Sequence, residues 1–382
     1  MIVGGGVIGV AIAHALVCEG LRVRVLEAGA ICSGASGAAA GMLAPLSEAR
    51  EGGPMLQLGL ESLSRFGPLC DHLLGETGVD PELESSGLLR VASSEAEELD
   101  LKRGYARLAS DPLVGSGMTS PPLDWIDREK LCALEPAFSS AIQAGLLSPL
   151  ESHLRPPLFV RALEASASAR GVVIEAGVRV QLLRRQGDRM TGVETSAGPR
   201  DAGCVVVAAG PWTPDLLEAS GLIYRTSGPP LIEPVRGQIL SLEAPLPAIR
   251  QIIWGEGVYV VPKRDGSWVV GATEERVGFD RRVTAEGVAW LLEGARRIFP
   301  ELAQASFGRA WAGLRPVSRD GLPWIGALPD WPGLYLAAGH GRNGVLHSPI
   351  TAELIRDEVL GKDSAISSQP FRASRLSEFA AR

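Results

Sequence analysis

Aromatic residues, histidines and paired cysteines are all scarce in this chain of 382 residues. Its five cysteines (Cys18, Cys32, Cys70, Cys132 and Cys204) form no C-x-x-C pair. An odd, dispersed set reads as reduced thiols buried as small apolar groups in a reducing compartment, and not as a disulfide framework. The five histidines are equally scattered, no His/Cys cluster has metal-ligand spacing, and no metal is expected. No apolar run approaches the length that spans a bilayer, and no basic segment ahead of an apolar one opens the chain. The expectation is a cytoplasmic protein without a membrane partner. Positive charge is also in deficit, with 37 Lys and Arg against 44 Asp and Glu. That balance argues against nucleic acid, but a few local arginines can still hold a small anion.

What is present is ordinary for a globular protein: 46% hydrophobic and 21% charged residues. The length favours two domains. Ile2-Val3 read as a short strand leading into Gly4-Gly5-Gly6-Val7-Ile8-Gly9. A helix follows over Val10 to Glu19, ended by Gly20, and a strand over Leu21 to Leu26 runs to Glu27. This is a βαβ unit with G-x-G-x-x-G in its first turn. Gly4 allows the tight turn, Gly6 lets a pyrophosphate approach the backbone, and Gly9 lets the helix pack on the sheet. The helix start offers free N–H groups to phosphate, and Glu27 would accept from ribose hydroxyls. The motif does not separate FAD from NAD.

Further along, Met55 to Leu74, Arg161 to Ala169 and Val288 to Phe299 read as helices. Val172-Ile174 and Val178-Leu183 read as strands, and Cys204 to Ala209 is an apolar run suited to a strand buried on both faces. Between Pro234 and Pro316 short alternating strands recur at Ile239-Leu242, Val258-Val261, Trp268-Val270 and Arg309-Leu314, the texture of an antiparallel sheet. Leu334 to Ala338 returns to parallel-strand texture, followed by a glycine loop and a helix from about Gly344 to Leu360. The fold class is therefore α/β, a Rossmann-like nucleotide-binding domain with an inserted antiparallel-sheet domain. Residues 1–80, 146–215 and 305–363 are assigned to the first, 81–145 and 216–304 to the second, and 364–382 to a tail.

Several stretches resemble one family along nearly the whole chain, in order: AAAGMLAP (38–45), VVVAAGPWTPDLL (205–217), EPVRGQ (233–238), YVVPKRDG (259–266), VVGATEE (269–275), WAGLRPVSRDGLPWIG (311–326) and AAGHGRNGVL (337–346). The chain resembles the D-amino-acid oxidase-like flavoproteins, and among them the bacterial glycine oxidases of thiamine biosynthesis. The resemblance implies non-covalent FAD, oxidation of a small amino acid by hydride transfer, oxygen as electron acceptor, and a homotetramer or other homo-oligomer. It places Val7, Ile8, Glu27, Ala28, Ser36, Ala40, Gly41, Met42, Val178 and Trp212 along the FAD, with Gly4, Gly6 and Gly9 beneath it. His340, Gly341, Arg342, Asn343, Gly344, Val345 and Leu346 would close around the flavin ring. Two positions depart from the family: Gly341 stands where a bulky residue is common, and His347 where the residue is usually apolar.

For the substrate, alternation along Arg309 to Leu314 puts Trp311, Gly313 and Arg315 on one face, because Pro316 keeps Arg315 extended. Arg315 beside an empty Gly313 has room for a planar carboxylate, which its guanidinium would hold with two parallel N–H bonds. A structural ion pair with Asp320 is the other reading. The family resemblance favours the substrate role for Arg315, and for the Tyr259 hydroxyl as a second donor. Arg342 would contact substrate or flavin, and the positive end of the last helix would face the flavin. No general base is evident. Glycine as the substrate rests on the resemblance alone. The rival readings are a D-amino-acid dehydrogenase using another acceptor, an NAD-dependent dehydrogenase, and a non-catalytic FAD-binding subunit.

Overall fold

Two sheets organise the protein, whose computed structural model describes residues 1–49, 52–110, 123–223, 229–244 and 249–376. The first sheet has six strands in the order Trp324–Ala327, Leu334–Ala338, Val205–Val207, Ile2–Val3, Arg24–Glu27 and Val173–Ala176. Its pairings are parallel except for the edge pair 324–327 with 334–338. Val205–Val207 is buried throughout, as a strand covered on both faces must be. The helix Val7–Cys18 packs on the sheet and against both Pro156–Ala169 and Ser348–Leu360, and the three share a core of Ile12, Phe159 and Ile355 with Ile2, Val25 and Val206.

Element boundaries moved for identifiable reasons. The first helix begins at Val7, three residues earlier than the periodicity suggests. The next strand begins only at Arg24, because Gly20 N–H bonds Val17 O and Leu21 N–H bonds Leu16 O. That pair of bonds is a glycine-dependent helix ending, with Gly20 at φ +79°, and it keeps Leu21 out of the strand. The last helix begins at Ser348, not Gly344, since Gly341–Asn343 winds as a separate 3-10 turn. Pro349 is its second residue, where the missing N–H costs nothing.

The second sheet has eight strands in the order Ser306–Ser318, Ile232–Glu243, Ser267–Gly271, Val258–Pro262, Ile252–Gly255, Leu88–Ala92, Ala144–Ser148 and Asp124–Asp127. Only the 252–255 pairing with 88–92 is parallel. The Ala285–Ile298 helix covers one face through Leu291, Ala295 and Ile298, which meet Val258, Val260 and Val270. The opposite face presents Tyr259, Val261 and Ile239. Ser306–Ser318 thus pairs along its length with Ile232–Glu243 in this sheet. The sequence reading groups residues 305–363 with the nucleotide-binding segments; within them Ser306–Ser318 hydrogen-bonds along Ile232–Glu243 of this second sheet, while Trp324–Ala327 and Leu334–Ala338 lie in the first. Val180–Gln186 joins neither large sheet and pairs instead with Arg189–Thr195. Within the described residues of the tail, Phe371 is buried and Arg372 bridges Ile325, so the tail docks on the edge of the first sheet. Among the described residues no helix is long and apolar enough to cross a membrane.

Candidate active site

A single cavity of about 680 Å³ runs from the glycine loop of the first sheet to the Tyr259 face of the second. This lies within the usual range of ligand pockets, roughly 300–1,000 Å³. At its first end the loop is built as the motif demands. Gly4 has φ +113°, and a Cβ there would stand 2.3 Å from Ala208 O. A Cβ on Gly9 would stand 2.0 Å from Gly4 O, so helix and loop touch backbone to backbone. At Gly6 a Cβ would meet only Ser36 Oγ, at 3.2 Å, which leaves that side of the loop open to the cavity.

Glu27 is held in place by N–H donors from Gly5 and Gly29, one to each carboxylate oxygen, both at 2.7 Å. Each oxygen keeps a lone pair for a further donor such as a ribose hydroxyl. Val7 N–H, one of the free donors of the helix start, is taken by Ser36 Oγ at 2.9 Å. The serine therefore caps the helix and keeps its own O–H proton for a ligand. Arg281, whose guanidinium donates to Ser33 O, adds a positive charge to the same wall. An acceptor, free hydroxyl and cation around a side-chain-free loop fit a dinucleotide such as FAD.

The middle of the cavity is lined by the small-residue segment 33–42. Trp311 Nε1 donates to Ala38 O at 3.2 Å, and Lys263 Nζ donates to Ala40 O and Leu154 O at 2.8 and 2.9 Å. Burial pushes the Lys263 amine down to about 7, with the Arg155 charge acting the same way. These two donors reach over from the second sheet and fix the segment's backbone where side chains are too small to do so.

Arg315 and Tyr259 meet at the far end. Both lie over glycines of neighbouring strands. A Cβ on Gly237 would fall 2.4 Å from an Arg315 guanidinium nitrogen, and one on Gly271 would fall 2.4 Å from the Tyr259 ring and hydroxyl. Arg315 donates to Thr273 O at 2.9 Å and hydrogen-bonds the phenol of Tyr259, which burial holds above its ordinary pKa. The room beside Arg315 is thus not where alternation placed it. Gly313 faces Ala38, 2.6 Å from where its Cβ would be, and the packing of the 33–42 segment takes that space. Asp320 is not the partner of Arg315 either, since it pairs with Arg375 at 3.3 Å.

Arg342 is engaged differently. Its Nε lies 2.8 Å from Glu48 Oε2, and its guanidinium stacks 5.2 Å from the centroid of Trp254. Glu48 lines the cavity and is almost fully buried. Burial raises its pKa, while Arg342, Arg315 and a hydrogen bond from Asn343 pull the other way. Behind it Glu151 accepts from Ser47 N–H and Ser47 Oγ at 2.6 and 2.5 Å and is raised by burial to about 7.

Every residue expected around the cofactor lines the cavity except Gly9, Asn343 and Leu346. Gly9 serves packing, Asn343 turns to Glu48, and Leu346 is buried in the core of the first sheet. His340 lines the cavity but turns its ring away, 3.0 Å from Thr351 Oγ1. Burial lowers both His340 and His347 to about 3, so neither carries charge near neutral pH. His347 sits in the core 6.4 Å from His340 and does not reach the cavity wall. Glu48, Trp254, Gly237, Arg281 and Lys263 were not foreseen. Their placement depends on which strands adjoin, a fact no local pattern contains.

Residues 1–358 match the family described as FAD dependent oxidoreductase. The glycine oxidase of Geobacillus kaustophilus is 35% identical over 376 residues, covering 98% of this chain and 96% of that protein. Its crystal structure superposes with a TM-score of 0.90 over 98% of this chain and 97% of that one. A bifunctional ThiO/ThiG protein of Nostoc sp. is 33% identical over 98% of this chain but only 54% of its own length, so the similarity is to one part of a fusion.

Proposed function

The chain belongs to the family of FAD-dependent oxidoreductases, and from that premise we propose that it oxidises the amine of glycine to the imine, which water hydrolyses to glyoxylate and ammonia. When bound, FAD supplies a two-electron acceptor for the hydride lost from Cα, and its reoxidation by oxygen yields hydrogen peroxide. The observation that carries the substrate class is the Arg315–Tyr259 pair at the end of the cavity. Among the described residues the hydrogen bonds of Arg315 go to neutral groups, Thr273 O and the phenol, while Glu48 acts on it through charge without a hydrogen bond between them. Arg315 therefore keeps a planar donor edge for an incoming carboxylate, with the Tyr259 hydroxyl beside it.

Arg342 has a different part in this reading. Glu48 neutralises it and Trp254 holds it flat, so it shapes the wall and is not a second clamp. The apolar surroundings of Ile239, Met42 and Ala337 favour the neutral amine, the form from which a hydride leaves. Among the described residues no side chain is assigned as a general base, and positioning is the main device. The fused ThiO/ThiG relatives support a place for the product in the thiazole branch of thiamine biosynthesis. A homo-oligomeric state rests on the family resemblance and is testable by sedimentation.

The test is an anaerobic titration of the flavin-loaded protein with glycine, sarcosine and D-alanine, followed by admission of air. Bleaching by glycine with peroxide release on reoxidation is expected. Bleaching by D-alanine without reoxidation by air would move the reading to a dehydrogenase with another acceptor.

A further inference from the structure

Away from the cavity, two pairs of side chains meet on the outer side of the first sheet's helices. His14 and Cys18 are four residues apart on the Val7–Cys18 helix, and His72 and Glu76 are four apart on the Pro54–Thr77 helix. That spacing puts each pair on one helix face. Both helices pack on Pro156–Ala169, which brings the two faces together. His14 Nε2 lies 3.8 Å from Cys18 Sγ, and His72 Nε2 lies 3.3 Å from Glu76 Oε2. One ligand atom each from His14, His72 and Glu76 falls within 4.8 Å of the others.

We propose that His14, His72 and Glu76, with Cys18 as the fourth ligand, bind one divalent ion of the zinc class and clamp the first helix to the Pro54–Thr77 helix. Two imidazoles, a thiolate and a carboxylate are a tetrahedral zinc donor set, and metal–ligand bonds of roughly 2.0–2.3 Å put the edges of such a site at about 3.3–3.8 Å. Both i,i+4 pairs already stand at edge length, and His14, His72 and Glu76 form the close group; closure needs an inward turn of the half-exposed His72 toward the buried His14 and a turn of Cys18, which lies outside that group, toward the other two ligands.

The surroundings suit this role. Burial, then the charge of Arg170, lowers His14 to about 4, so its ring is neutral and ready to coordinate without releasing a proton. Ser166 Oγ donates to Glu76 Oε2 at 2.6 Å and Arg170 holds Glu76 Oε1 at 2.9 Å, outer contacts that orient a ligating carboxylate. Arg170 opposes a cation by its charge, though it is paired with Glu76; burial raises the Cys18 thiol above its ordinary pKa and Arg170 offsets only part of that rise, so the metal itself must displace the thiol proton. The cluster lies about two helical turns from Val7 and Ile8 at the cavity wall, roughly 10 Å along the axis. The ion would thus act on stability and not on turnover.

The experiment is calorimetric titration of chelator-washed, flavin-loaded protein with zinc chloride, paired with thermal melting with and without the ion. One saturable equivalent at micromolar affinity or tighter and a raised melting temperature are expected. His72→Ala should weaken that affinity on the order of a hundredfold and abolish the melting shift, and Cys18→Ser should weaken it about tenfold. Glycine turnover and the flavin spectrum should be unchanged in both, which shows that the variants are folded. Absence of a one-equivalent site, or wild-type affinity in His72→Ala, would overturn the assignment.

Discussion

The guanidinium of Arg315 lies over Gly237 of the adjacent strand, so close that a Cβ on Gly237 would fall 2.4 Å from one of its nitrogens. The two are not paired in register: Arg315 opposes Val235, and Gly237 is its diagonal neighbour. Diagonal residues on one sheet face come within reach of long side chains. The missing side chain of Gly237 lets the arginine lie flat and turn its outer edge to the cavity.

Loss of that edge should appear in substrate binding. Each hydrogen bond to a charged group contributes about 1.5–3 kcal/mol. Arg315→Ala should therefore raise KM for glycine on the order of a hundredfold or more, with flavin content unchanged. Arg315→Lys should recover little, since an ammonium cannot form the parallel pair. A near-normal KM in the alanine variant would remove Arg315 from the clamp.

Gly237→Ala tests the floor beneath the arginine. Its backbone angle is ordinary, so the only consequence is displacement of the guanidinium, a flexible group. KM should rise about tenfold while the protein remains folded and yellow. Gly9→Ala should behave oppositely. Its Cβ would meet Gly4 O at 2.0 Å, backbone that has nowhere to go. Overpacking of this kind costs about 1–3 kcal/mol, and flavin retention should fall with the melting temperature. Equal behaviour of the two variants would refute the distinction.

Lys263→Met should loosen the cofactor without touching it. The change leaves Ala40 O and Leu154 O without the ammonium donor. Each unpaired buried carbonyl costs about 1–3 kcal/mol, and the 33–42 wall should relax. The dissociation constant for FAD, measured by fluorescence of the apoprotein, is expected to rise at least tenfold. An unchanged constant would mean that packing alone holds the segment.

Glu151 makes stability depend on pH. Burial raises its carboxyl from 4.5 to about 7, and the Glu48 charge adds to the rise. The native state therefore holds a proton that the unfolded chain has already released in this window. The contribution is complete below the ordinary carboxylate range and is lost as pH rises through about 7. It amounts to roughly 3 kcal/mol at most. Glu151→Gln cannot titrate, so wild-type melting temperature should fall relative to the variant between about pH 5 and pH 8. Parallel pH profiles for the two proteins would exclude the effect.

The first βα unit was legible in the sequence because its determinants are local. Gly4, Gly6, Gly9 and Glu27 act within one turn, one helix and one strand, and their spacing sets where each must stand. The apolar run 205–207 declared its own burial, and Tyr259 and Val261 declared their shared face by alternation. Helix ends were less legible, as at Leu21, where a capping hydrogen bond overrode strand periodicity. The partners across the cavity were decided by tertiary structure alone. Gly237 and Gly271 lie under Arg315 and Tyr259 because of strand order. Glu48 meets Arg342 from 294 residues away in sequence, and His14 meets His72 because a third helix supports both. Local sequence sets backbone conformation and which way a side chain faces. What that side chain meets is set by long-range packing of sheets and helices, which no short window of residues encodes.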